Sequence, residues 1–133
     1  MINNKLKKNI FEKAALCRHF EQNVYECVAK KIIKFPVYLS SGQEFISSTL
    51  SEIILNILKV KPLIFAQHRC HSTYLSFGGS TVGLIKELLG KKDGCTYGMG
   101  GSASIHSPKI NMFGHDGHMG TQVPIGVGAC FAS

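Results

Sequence analysis

Seven glycines, at positions 94, 98, 100, 101, 114, 117 and 120, fall between Asp93 and Gly120 in a stretch with few long apolar side chains. Such a stretch supplies neither a core-filling helix nor a buried strand, so the rest of the chain must fold around it. A structureless loop of roughly thirty residues is uncommon in a compact domain unless it binds something, which marks this region as the candidate functional one.

The flanking segments read as regular structure. From Ile10 to Ile33, the residues Phe11, Ala14, Ala15, Phe20, Val24, Val28 and Ile32 recur at near-helical spacing and predict one amphipathic helix, ended by Pro36. Ser41-Gly42-Gln43-Glu44 has the S-x-x-E form of a capping box. The helix it would open carries Phe45, Ile46, Leu50, Ile53, Ile54, Ile57 and Leu58. Leu63 to Ala66 suits a short buried strand, and it runs into the polar cluster Gln67-His68-Arg69, where functional groups often sit. Val82, Ile85, Leu88 and Leu89 predict a short helix capped by Ser80 or Thr81 and closed by Gly90. Pro124 fits the first turn of a last helix, kept thin by Gly126, Gly128, Ala129 and Ala132.

Charge and cysteines narrow the classes. Eight of the fifteen basic residues precede Phe35, within a net charge of +7, but without interleaved aromatics; a solvated helix face explains them better than nucleic-acid binding. Five cysteines at 17, 27, 70, 95 and 130 form no C-x-x-C pair and no disulfide framework. Together with no secretory leader and no apolar run of membrane-spanning length, they predict a cytoplasmic protein with reduced thiols and no membrane partner.

Three motifs suggest chemistry. Gly98-Met99-Gly100-Gly101-Ser102-Ala103 has the G-x-G-x-x-A form of a dinucleotide loop, yet no strand precedes it and no amphipathic helix follows. His68/His71 and His115/His118 form two H-x-x-H pairs, with His106 nearby, which leaves open a small histidine-based metal-binding protein. Arg69, directly after the predicted strand and flanked by His68 and His71, suits bidentate contact with a phosphate.

Taken together and in order, these segments resemble a known family. Cys17-Arg18-His19-Phe20-Glu21 resembles its R-x-F-E helix, Gly42-Gln43-Glu44 its G-Q-E-A start, and His68-Arg69-Cys70-His71 its Y-R-x-H signature. Glu87 to Lys91 resembles E-L-x-G-R, Gly94 to Ser102 resembles G-C-x-x-G-x-G-G-S, and Gly117 to Gly126 resembles G-I-V-G-A-Q-V-P-L-G. The family is the alpha subunit of thiamine-diphosphate-dependent 2-oxo acid dehydrogenases, which act on pyruvate, acetoin or branched-chain oxo acids.

The resemblance implies an α/β fold: the N-terminal portion of a thiamin-diphosphate-binding fold, helix-rich, with a long glycine-rich loop region and an incomplete parallel sheet. Residues 1–41 would form a basic amphipathic helix and linker, and residues 42–133 an incomplete cofactor-binding domain. It implies oxidative decarboxylation of a small 2-oxo acid, with acyl transfer to a lipoyl-bearing acyltransferase and a beta-type subunit as partner. By position, His68 and Arg69 would meet the cofactor diphosphate, and the backbone at Gly117 and Met119 its aminopyrimidine ring. Tyr38, where members commonly carry histidine, and His71 are candidates for the substrate side. The Mg2+ ligands of the family, a Gly-Asp-Gly turn and a later asparagine, would lie beyond Ser133, so no metal ligand is expected here. A form inactive alone is therefore expected, with a non-catalytic remnant docking on a beta-type subunit as the alternative.

Overall fold

A computed structural model describes residues 3–114 and 117–132. Asn3 caps the first helix, α1 (Asn4–Ala29), by accepting from the Leu6 amide at 2.8 Å. The helix starts six residues earlier than the apolar spacing predicts and stops at Ala29, because Lys31 adopts a left-handed φ of 57°. Its buried line runs through Ala14, Cys17, Glu21 and Val24, whereas Phe11, Val28 and Ile32 face outward.

The second helix, α2 (Glu44–Glu52), continues into a π-helical turn at Ile53–Ile57. Its start departs from the expected capping box. Gln43 is the N-cap and makes no side-chain cap bond, while Gly42 turns the chain with φ +94°. Glu44, the intended reciprocal partner of Ser41, accepts instead from the Gly42 amide at 2.9 Å and pairs with Arg18 of α1, whose Nε lies 2.9 Å from Oε1. Polarity in α2 is also reversed. Glu44, Ser47, Ser48, Ser51 and Glu52 are buried, and Phe45, Ile46, Leu50 and Ile53 are exposed. Hydroxyl contacts join the serine face to the next helix, α3 (His71–Ser76), with Ser47 3.1 Å from Ser72 and Ser48 3.3 Å from Ser76.

Between α2 and α3 lies β1 (Ile64–Phe65), inside the predicted strand, and it pairs in parallel with β2 (Met112–Phe113). The register sets Ile64 opposite Met112 and Phe65 opposite Phe113, whose rings stack at 5.1 Å. The fold is thus helix-rich with a small two-stranded parallel sheet, a partial α/β arrangement. Cys17, Ile64, Cys70, Tyr74, Leu84, Ile105 and Met112 form the main core around this pair, and Val24, Ile33 and Leu88 a second cluster.

α4 (Thr81–Leu88) follows its sequence signals: Ser80 Oγ accepts from the Gly83 amide at 3.1 Å, and Gly90, at φ +66°, turns the chain away. The glycine-containing stretch is not a single structureless loop, since it holds a 3-10 turn at Pro108–Ile110 as well as β2. α5 (Gln122–Ala132) has Pro124 in its first turn and rests on β1, where a Cβ at Gly126 would come within 3.3 Å of the Phe65 ring. Val123, Ile125, Val127 and Phe131 of α5 are exposed.

Candidate functional site

Parallel pairing decides which loops meet. Because β1 and β2 run the same way in register, the segments after Phe65 and after Phe113 leave from the same edge of the sheet. Ligands of parallel α/β sheets bind at that carboxyl edge. His68 and Arg69 are on the first segment, and Gly117 and Met119 on the second.

Arg69 is exposed, and its Nη1 donates to the Leu39 carbonyl at 3.0 Å. Among the described residues no carboxylate pairs with it, so the guanidinium retains donors and an uncompensated charge suited to an anion. The His68 ring stands edge-to-face on Tyr38 at 5.1 Å, which brings Tyr38, His68 and Arg69 to one place. A largely apolar cleft of about 390 Å³ opens beside Arg69, lined by Ile46, Leu50, Leu63, Phe65, Gln43 and Gln67 among others, and neither Tyr38 nor His68 borders it. A larger cavity of about 700 Å³, lined by Asn3, Asn9, Glu52 and Asn56 among others, shares none of these residues.

Gly117 has φ +101°, which favours glycine, and a Cβ there would meet nothing within 4 Å. Met119 is 86% exposed on the same turn.

His71 is elsewhere, fully enclosed at 0% exposure. Its Nδ1 lies 3.0 Å from Glu21 Oε1 and its Nε2 2.9 Å from Ser102 Oγ. Glu21 Oε1 also accepts from the Ser40 hydroxyl at 2.7 Å and the Ser40 amide at 3.2 Å. Burial pushes the Glu21 carboxyl up, but the His71 and Ser40 bonds outweigh it and hold the group below the ordinary carboxylate range.

Glu87 organises the glycine-rich turns. Its buried carboxylate accepts four amides: Thr96 at 2.7 Å and Gly98 at 2.9 Å on Oε2, Gly100 at 2.9 Å and Gly101 at 3.0 Å on Oε1. The turns that resembled a dinucleotide loop are therefore wrapped around an internal anion. This also explains Gly100, where a Cβ would fall 2.2 Å from the Ser104 carbonyl oxygen. The motifs include Glu21, Glu87 and Ser102 but assign them no role, and Ser40 lies in none of them. A signal for Glu87 existed: it lies between Leu84 and Leu88 on the inward face of a short helix, where a carboxylate needs donors.

Among the described residues no group of three or more His, Cys, Asp or Glu side chains could hold a metal ion. His106 accepts from the Gly114 amide at 3.3 Å through Nδ1, and His115 lies outside the described residues. No helix among the described residues is long and apolar enough to cross a membrane.

Relatives agree with the motif order. The chain is 31% identical over 122 residues to the pyruvate dehydrogenase E1 component subunit alpha-2, mitochondrial, of Arabidopsis thaliana, covering 92% of this chain and 30% of that protein. It is 36% identical over 104 residues to the mitochondrial alpha subunit of Saccharomyces cerevisiae, covering 78% and 23%. Against that of Chaetomium thermophilum it is 30% identical over 131 residues, covering 98% and 30%. The chain thus spans less than a third of these relatives. Their names overturn the expectation of a cytoplasmic protein, since all three are described as mitochondrial. Free cysteines do not single out one compartment, so they could not carry that expectation. Residues 12–133 match the dehydrogenase E1 component family, and with alpha subunits as its relatives the chain belongs to that family.

Proposed function

We propose that this chain is an alpha-subunit-type component of a thiamine-diphosphate-dependent 2-oxo acid dehydrogenase, supplying the diphosphate end of the cofactor site. The observation that carries the reading is Arg69, an arginine with no carboxylate partner among the described residues, at the carboxyl edge of a parallel strand pair. When bound, the cofactor supplies a carbanion able to attack a 2-oxo carbon. Arg69 would donate to diphosphate oxygens while its Leu39 bond holds it in place, and His68, packed on Tyr38, would add a second donor. Open backbone at Gly117 and Met119 fits the approach of the aminopyrimidine ring. Tyr38, beside His68, is our substrate-side candidate.

Magnesium would be held by a Gly-Asp-Gly turn and a later asparagine beyond Ser133, as the family resemblance implies. A beta-type subunit would complete the site, and a lipoyl-bearing acyltransferase would take the acyl group. Substrate is a small 2-oxo acid. Residues 1–133 alone should not turn over, because one arginine and loop amides must otherwise offset the full diphosphate charge.

Titrating thiamine diphosphate with Mg2+ into the chain, its beta-type partner and both together tests this. Calorimetry should show cofactor binding in the mixture alone. Partner binding without cofactor uptake would replace the proposal with a non-catalytic docking role.

A further inference from the structure

Glu21, His71 and Ser102 have the connectivity of a hydrolase triad, carboxylate to imidazole to serine, at 3.0 and 2.9 Å. A nucleophile must be reached by its substrate. Ser102 is 2% exposed, His71 0% and Glu21 1%, so none of them meets solvent. The Ser102 oxygen already accepts from the Tyr38 amide at 2.8 Å. Each donor then has one destination: Tyr38 N–H to Ser102 Oγ, the Ser102 hydroxyl to His71 Nε2, and His71 Nδ1–H to Glu21.

The line ends on the strap Val37–Ser40; Ser102 and Tyr38 also border an open cleft of about 360 Å³, but the Ser102 oxygen is turned to Tyr38 and His71 and the residue is only 2% exposed. That strap is gripped at three consecutive residues: Tyr38 by Ser102, the Leu39 carbonyl by Arg69, and Ser40 by Glu21 and the Ser72 amide. We infer that Glu21, His71 and Ser102 are positioning residues, a buried relay that sets the strap and through it the place of Tyr38 and the Arg69 guanidinium. The inference deepens the proposed cofactor site and rests on it. It also gives His71 a role away from the substrate. A fully connected buried network specifies one arrangement, because any group left unpaired there is costly.

Ser102→Ala removes the hydroxyl and Ser102→Thr keeps it. In the full chain, amide exchange at Tyr38 should accelerate about 2- to 12-fold in Ser102→Ala, as expected for one lost net hydrogen bond, and return in Ser102→Thr. Cys17 and Val24 amides should be unchanged. His71→Asn, whose shorter amide reaches Glu21 but not Ser102, should reproduce the local effect. Nitrogen NMR of wild-type His71 should show the proton on Nδ1, with the Nε2 resonance moving in Ser102→Ala. In the enzyme assembled with its beta-type partner, thiamine diphosphate affinity should fall in Ser102→Ala and recover in Ser102→Thr.

Unchanged Tyr38 exchange, or changed exchange with unchanged affinity, overturns the positioning role. Labelling of Ser102 by a fluorophosphonate overturns it in favour of a nucleophile. Wild-type enzyme that binds no thiamine diphosphate, with Tyr38 responding as described, sinks the cofactor reading and leaves the clamp on the strap standing.

Discussion

Glu87→Gln should release the glycine-rich turns without emptying the space they enclose. The carboxylate holds four amides at 2.7 to 3.0 Å, two on each oxygen. A glutamine keeps one acceptor oxygen and turns its NH2 toward the other two donors. Two charge-assisted bonds are lost, at about 1.5–3 kcal/mol each, and relief from burying a charge offsets part of that. A net cost of about 2–4 kcal/mol follows, a large share of the roughly 5–15 kcal/mol available to a domain. Amide exchange at Thr96, Gly98, Gly100 and Gly101 reads it residue by residue. If the turns open locally, exchange should rise by about 30- to 700-fold at two or more of these amides, most at the pair facing NH2. Protection of all four within about threefold of wild type would refute the anion-centred account, given the unpaired donors it requires.

Three further outcomes follow from the same geometry. The Glu21 carboxyl is held below its ordinary value of 4.5, so its contribution is full above that pH and is lost as pH falls through the folded value; an acid titration of stability should steepen below about pH 4.5, and less so in Glu21→Gln. Burial pushes the Cys70 thiol up to about 12 and also raises Cys17, while Cys130 is exposed; iodoacetamide near neutral pH should modify Cys130 first and spare the other two until denaturant is added, as mass spectrometry of the products would show. The outward apolar faces of α2 and α5 predict self-association of the purified chain, and Leu50→Lys with Phe131→Ser should reduce it in sedimentation; a monomeric wild-type chain with a sharp cooperative melt would contradict this.

Local signals were legible where local physics decides. Ser80, Gly90 and Pro124 mark the ends of α4 and the start of α5 because caps and proline act within one turn. Ser41 misled because its partner carboxylate was claimed by Arg18, 26 residues earlier in the chain, a choice that only packing makes. The polar inner face of α2 was hidden for a related reason. Apolar periodicity reveals a face, but not whether it turns inward, and here serines pack against α3 while Phe45 and Leu50 look outward. The place of Arg69 after a strand is retained in the fold, and His71 looked equivalent by proximity. A single residue, Cys70, separates an exposed arginine from a fully enclosed histidine, because His71 opens a helix whose inner side faces Glu21.

The central claim is that Arg69 holds the diphosphate end of the cofactor. Comparing thiamine diphosphate with thiamine, for wild type and Arg69→Met in the enzyme assembled with its beta-type partner, tests it directly. One charge-assisted contact predicts that thiamine diphosphate binding weakens about 10- to 150-fold while thiamine binding stays unchanged. Equal weakening of both ligands, or of neither, would contradict the account.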